Sequence, residues 1–245
     1  MFAGGRLTEM TKYFLEKIDL PSLVTSSDEN DPNTNQKSAG SGTSKRLRVL
    51  DLCCGSGSVG AAVLVAYADA LRRGDSGCGV AVPTATSTSE SSTPKNYRSL
   101  LLHSADADTL AVKACRKNLR RLVGKFELSE EASTCVELDF FLSDGLRGVS
   151  CKESSPSTTR TKRYDLILSN PPVHNGVQTD FSVVAHVVLE GRRWLRKGGR
   201  LLLVLQEYIP LRSIVSNFQH DLDSSYSVTN VVCDGKYAVW DLLRI

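Results

Sequence analysis

The sequence predicts an α/β fold: one doubly wound, mainly parallel sheet of seven strands, helices on both faces, and an antiparallel hairpin at its C-terminal edge. Three observations carry that prediction. Short apolar runs alternate with amphipathic stretches from residue 47 to residue 205. The first strand-to-helix junction is glycine-rich, Gly55-x-Gly57-x-x-Gly60. An Asp234-Gly235 pair separates the last two strand-like runs, as in a tight hairpin.

Residues 7–20 place Leu7, Met10, Phe14, Leu15 and Ile18 at helical spacing. Residues 47–53 form an apolar strand interrupted by one acid, Asp51. Residues 59–71, dense in Ala, Val and Leu, read as a helix buried on most of its surface. A second strand runs from Leu100 to near Asp106, and residues 110–123 form an amphipathic helix with Arg116, Lys117, Arg120 and Arg121 on the wet side. Residues 136–142 are the third strand and 164–168 the fourth. A helix over 181–195 is expected to stop at Lys197-Gly198-Gly199, before a fifth strand over 200–205. A short helix over 211–218 and strands over 227–232 and 237–243 complete the chain.

The 245 residues are 41% hydrophobic, enough for one large α/β domain with a full core. We expect a single domain over 1–245, with polar inserts at about 26–46, 74–97 and 150–162 that lengthen loops without dividing it. A net charge of +3 permits a nucleic-acid partner without demanding one. No run approaches the length of a membrane span, and the first six residues lack the apolar core of a secretory signal. Seven cysteines lack paired metal spacing, and none of the four histidines lies near a cysteine pair. Free thiols in a reducing compartment, with no zinc or other metal, are expected.

The most distinctive stretch is Ser169-Asn170-Pro171-Pro172-Val173-His174-Asn175-Gly176. Two prolines lack amide hydrogens and end the fourth strand abruptly, and Pro171 holds Asn170 extended. The product is a stiff corner at the carboxyl end of a strand, where ligands of open α/β sheets bind. Alone, it would read as a rigid turn. The glycine loop with Gly55 and Gly57 adds a place where backbone can approach a ligand closely. Asp51 at the end of the first strand would repel a pyrophosphate and favour a cationic ligand such as S-adenosyl-L-methionine. Asp106 can accept the two hydroxyls of a ribose, whereas Asp108 fits helix capping better. Asp144 can accept an adenine amino group, or simply belong to an Asp-Gly turn.

Val49-Leu50-Asp51-Leu52-Cys53-Cys54-Gly55-Ser56-Gly57 resembles motif I of class I S-adenosylmethionine-dependent methyltransferases, which share a Rossmann-like sheet. Asn170-Pro171-Pro172 resembles their amino-methylating motif. The longer Ser-Asn-Pro-Pro-x-His-x-Gly form is similar to the ribosomal RNA guanine-N2 methyltransferases of the "methyltransferase small" domain group. The likeness continues through Trp194 to Leu201 and Tyr208-Ile209-Pro210. It also reaches back to Gly5-Arg6-Leu7-Thr8-Glu9-Met10-Thr11, which looks like the group's cofactor-side segment.

The resemblance implies transfer of a methyl group from S-adenosyl-L-methionine to an exocyclic amine of a base in RNA, guanine N2 of ribosomal RNA before others. It implies catalytic roles for Asn170, Pro171, Pro172 and the residue at Val173. It also implies cofactor contacts by Thr11, Asp51, Cys53, Gly55, Gly57, Asp106, Asp144 and Asn170. Four positions depart from the pattern. Cys53 replaces a glycine, Thr8 and Met10 replace an Asp and a Gly, and Val173 replaces an aromatic whose stacking on a base is worth ~1–3 kcal/mol. The expected partner is RNA, bound by a monomer alone or with a further RNA-recognition partner, with no membrane and no metal. A cytoplasmic location is expected, or a mitochondrial one if the true start lies upstream. Adenine-N6 or protein-glutamine methylation, and a methyltransferase-like ribosome assembly scaffold, are the competing readings. A dinucleotide oxidoreductase stands behind them.

Overall fold

The computed structural model describes residues 7–25, 46–73, 99–126, 135–149, 163–175, 178–218 and 221–245. Helices α1 (Glu9–Lys17) and α2 (Leu20–Thr25) precede β1 (Leu47–Leu52) and α3 (Ser58–Arg73). Next come β2 (Leu100–Asp106), α4 (Thr109–Val123), β3 (Val136–Leu142) and β4 (Tyr164–Ser169). A two-residue pair, β5 (His174–Asn175) and β6 (Gln178–Thr179), leads into α5 (Ser182–Trp194) and β7 (Leu195–Gln206). Helix α6 (Leu211–Ser216) and the hairpin β8 (Tyr226–Cys233) and β9 (Tyr237–Arg244) follow. The expected polar inserts, Arg46 excepted, lie outside the described residues, as do Gly5, Arg6 and Gly176.

Seven strands form one sheet in the order β3-β2-β1-β4-β7-β9-β8. The first five in that order are parallel, and β9 runs antiparallel to both β7 and β8. The expected doubly wound sheet with an antiparallel edge hairpin is therefore present. The hairpin turns on Asp234, whose carboxylate accepts the amide hydrogens of Lys236 and Tyr237, with Gly235 at φ +87°. The chain builds outward from β1 to β2 and β3, then returns to lay β4 on the other side of β1. That reversal opens a crevice above the carboxyl ends of β1 and β4, the usual ligand position in such sheets.

Alternation along the strands sends side chains to two cores. Val49, Leu102, Leu168 and Val204 pack under α1, α2, α3 and α4 with Phe14, Val63, Leu64 and Leu119. Leu50, Leu52, Ile167 and Leu203 pack under α5 and α6 with Val184, Val187 and Ile214. Phe14 is fully buried. Burying such a ring stabilises by about 1.5–3 kcal/mol and seats α1 on the sheet. Tyr13 adds a hydrogen bond from its hydroxyl to the Val232 carbonyl (3.2 Å).

One expectation needs correcting. Helix α5 ends at Trp194, and Leu195 already pairs with Tyr164. Lys197-Gly198-Gly199 therefore does not stop the helix but forms a bulge inside β7, where the register jumps between Tyr164 and Leu166. The cause is Leu195, whose fully buried side chain draws the chain into the sheet three residues before the first glycine.

Candidate active site

Strand register assembles the site. Leu52 pairs with Ala105 on one side and Ser169 on the other. The next residue of each strand is Cys53, Asp106 and Asn170, so these three stand abreast along one edge, at the ~4.8 Å strand spacing. Backbone bonds tie the loops above them: Cys54 N–H donates to the Ala105 carbonyl (3.0 Å) and Ser143 N–H to the Asp106 carbonyl (2.9 Å). Ser169, fully buried, donates its hydroxyl to the Leu52 carbonyl (3.0 Å) and fastens β4 to β1 just below the row.

The loop after β1 turns through three left-handed residues, Cys53 (φ +61°), Gly55 (φ +53°) and Gly57 (φ +86°). A Cβ built on Gly55 meets nothing within 4 Å, so open space adjoins the backbone there. A Cβ on Gly57 would lie 2.7 Å from Cys115 Sγ, because the loop packs directly on α4. Gly57→Ala combines that clash with a disfavoured φ and is expected to destabilise the fold by about 2 kcal/mol or more. Thermal denaturation checks this; an unchanged melting temperature would refute the close packing.

Asp51 lies beneath this loop, 1% exposed, and accepts the Gly60 amide hydrogen at the start of α3 (2.9 Å). Burial raises its carboxyl to about 7; the Gly60 hydrogen bond opposes the rise and the nearby Asp106 charge adds to it. Asp106 braces the loop as well as facing it. One oxygen accepts Gly55 N–H (2.9 Å) and the other accepts Asp108 N–H (2.9 Å), with lone pairs left for ligand hydroxyls. Asp108 caps α4 by accepting Leu110 N–H (2.8 Å), as its position suggested. Asp144 sits past the end of β3, 80% exposed and paired with Arg147 at 3.2 Å. Burial, then the Asp106 charge, pushes the Cys53 thiol up to about 12, which favours its protonated form at neutral pH.

Asn170 carries the least expected feature. Its amide nitrogen donates to Thr11 Oγ1 (3.0 Å), whereas its amide oxygen is buried without a hydrogen-bond partner. A buried acceptor left unpaired costs about 1–3 kcal/mol, which a donor brought to it would recover. Pro171 is buried and Pro172 exposed. Val173 is 4% exposed and packs among the α5-side core residues, its carbonyl accepting Asp180 N–H (3.0 Å). It presents no open face to a base, and the His174 side chain lies outside what is described. Two motif residues for which the sequence suggested no role also hold the site: Ser169, which ties β4 to β1, and Thr8, which caps α1 and touches Thr11. A Thr at a helix start signals the cap but nothing about the site.

The donor set fits an amino-acid-bearing, ribose-bearing cation: a buried carboxylate, a second carboxylate at the strand ends, and open space against a glycine backbone. Among the described residues no cluster of three or more His, Cys, Asp or Glu could hold a metal. No described helix is long and apolar enough to cross a membrane. Five of the cysteines, Cys53, Cys54, Cys115, Cys135 and Cys233, are free thiols.

Comparison with known proteins agrees with this picture. The family model of the methyltransferase small domain matches residues 70–241. The chain is similar to ribosomal RNA small subunit methyltransferase C of Pseudomonas entomophila (strain L48), 30% identical over 159 residues, which cover 64% of this chain and 39% of the relative. The protein of the same name from Pasteurella multocida (strain Pm70) is 24% identical over 165 residues, covering 67% of this chain and 34% of the relative. The chain thus spans well under half the length of these relatives. Among solved structures it resembles the T. thermophilus 16S rRNA N2-guanosine methyltransferase RsmC in complex with AdoMet and guanosine. That likeness has TM-score 0.52 and 16% identity, covering 100% of this chain and 45% of that one, and supports the fold.

Proposed function

Because the chain belongs to the family of the methyltransferase small domain, we propose that it transfers a methyl group from S-adenosylmethionine to an exocyclic amine of a base in RNA, with guanine N2 of ribosomal RNA as the favoured acceptor. The observation that carries this reading is the buried, unpaired amide oxygen of Asn170, a residue that follows Ser169 as Cys53, at the head of the glycine loop, follows its strand partner Leu52. An acceptor in that place selects a nucleophile that brings N–H groups. The names of the relatives support ribosomal RNA as the source of that amine.

When bound, S-adenosylmethionine supplies a methyl group on a positively charged sulfur. Asp106 would accept its ribose hydroxyls, Asp144 its adenine amino group, and Gly55 and Gly57 let the backbone approach it. Asp51 supplies negative potential from below through its carboxylate, whose ionised form the Gly60 amide hydrogen stabilises. Cys53 lines the same edge.

An exocyclic amine is a weak nucleophile because its lone pair is shared with the ring. Asn170 Oδ1 accepts one of its hydrogens and the Pro171 carbonyl the other. Held so, the nitrogen turns its lone pair out of conjugation, and orientation accounts for most of the rate. The methylated nitrogen then gives its surplus proton to water, so no strong general base is needed. The base must leave its stack to reach this corner. With Val173 in the core, that base is held by its amine and by the exposed Pro172 rather than by an aromatic at position 173.

Labelled methyl transfer to total RNA, DNA and protein tests the class of acceptor. Label in RNA alone is expected; label confined to DNA or to a protein glutamine would overturn it. The raised Asp51 carboxyl adds a pH signature. A cationic ligand favours its ionised form, so cofactor binding releases a proton wherever Asp51 is protonated in the free chain. Affinity should therefore rise up to about tenfold per pH unit below about pH 7 and level off above it. Calorimetry in buffers of different ionisation enthalpy should show close to one proton released near about pH 6 and almost none near about pH 8.5. A dissociation constant flat across that range would rule out Asp51 as the linked group.

A further inference from the structure

We propose that Thr11, backed by Thr8, is a positioning residue that fixes the Asn170 amide with its oxygen toward the substrate. This rests on the reading of Asn170 as the acceptor of the amine. An asparagine amide is nearly symmetrical in shape, yet turning it over replaces an acceptor by a two-hydrogen donor. Presented to an incoming –NH2, the turned amide would set donor against donor. Rotation must therefore be prevented by a contact on the nitrogen side.

Thr11 supplies that contact. Its Oγ1 accepts the Asn170 amide hydrogen at 3.0 Å. Having accepted, Thr11 can pass its own hydroxyl hydrogen to Thr8 Oγ1 at 2.8 Å, and Thr8 Oγ1 also accepts the Thr11 backbone N–H at 3.1 Å. With the Thr11 hydroxyl turned this way, the three groups form a chain of hydrogen bonds that ends on the cap of α1. The whole of α1 is held in register for this task. Phe14, one turn beyond Thr11, is fully buried in the sheet, and Tyr13 bonds the carbonyl of Val232 on β8. A link spanning 159 residues of sequence thus joins the start of the chain to the Asn-Pro-Pro corner. Thr11, expected to touch the cofactor, serves the substrate side through Asn170.

The test compares Thr11→Val, which keeps the shape and removes the hydroxyl, with Thr11→Ser, which keeps the hydroxyl. Thr11→Val should lower kcat about tenfold or more with cofactor Kd within about twofold of wild type, and Thr11→Ser should restore kcat to within about threefold. Equal turnover by Thr11→Val would overturn the proposal. So would a loss of cofactor affinity that matches the loss of rate, since that would place Thr11 in the cofactor pocket. A second measurement needs no substrate: exchange of the Asn170 side-chain amide hydrogens, followed by 15N NMR on the full chain. One hydrogen should be protected in wild type and in Thr11→Ser, and unprotected in Thr11→Val. Identical exchange in all three would overturn the lock even if RNA methylation is confirmed. If exchange differs as expected while wild type methylates no RNA, the RNA reading fails and the lock stands.

Discussion

Asn170→Ala is expected to lower methyl transfer by about a hundredfold or more, the range seen when one preorganised hydrogen-bonding group is removed from a reaction centre. The buried oxygen that waits for an amine hydrogen disappears, and the nitrogen lone pair stays delocalised in the ring. Cofactor affinity should change by less than about threefold, because Asp51, Asp106 and the glycine loop do not depend on the amide. Asn170 bonds Thr11, whose other hydrogen bonds join it to Thr8, so α1 stays capped and the fold survives. Single-turnover kinetics with labelled cofactor, alongside calorimetry, separate the two quantities. Retained turnover would remove Asn170 from the mechanism, and an equal loss of cofactor affinity would reassign it to the cofactor pocket.

Asp51→Asn is expected to strengthen the fold and weaken cofactor binding together. The carboxyl is 1% exposed and raised to about 7 by burial. The folded chain therefore binds more protons than the unfolded one between about pH 4 and about pH 7. Stability is greatest below that window, falls as pH rises through it, and stays lower above it. A shift of about three pKa units corresponds to about 4 kcal/mol above pH 7. Asparagine keeps an oxygen for the Gly60 amide and removes the buried charge, so part of that penalty is recovered. At about pH 8 the melting temperature should rise by several degrees, at roughly 2–4 °C per kcal/mol for a chain of this size. Near about pH 4, where wild type is largely protonated, the difference should vanish. Cofactor affinity at about pH 8 should fall about tenfold or more as the attraction for a cation is lost. A lower melting temperature with unchanged affinity would mean that Asp51 is a structural hydrogen-bond acceptor only.

Much of the fold could be read along the chain because it depends on local patterns. The strand at Leu100–Asp106, the wet face of α4 and the Asp234-Gly235 turn each follow from periodicity or from a residue with a fixed backbone preference. The cap by Asp108 is equally local. The stop at Lys197-Gly198-Gly199 was misread because glycines signal a helix end, whereas the burial of Leu195 three residues earlier than Gly198 decided the matter. The site was legible as a set of strand ends but not as a set of bonds. Only strand register shows Cys53, Asp106 and Asn170 abreast. Asp106 was expected to await a ribose, and no local pattern could show that it also braces Gly55. The Thr11–Asn170 bond joins residues too distant in sequence for any spacing rule. Val173 illustrates the opposite limit. Its lack of an aromatic ring was plain, while its place in the core depended on how the corner folds back onto Asp180.

The atom that receives the methyl group distinguishes guanine-N2 transfer from every competing reaction. Ribosomal RNA, protein-free and from cells lacking this chain, would be incubated with the chain and labelled S-adenosylmethionine, then digested to nucleosides and resolved by mass spectrometry. Label in N2-methylguanosine, lost with Asn170→Ala, is the result predicted. Label in N6-methyladenosine, on a ribose oxygen or a ring carbon, or in no nucleoside at all, would contradict it.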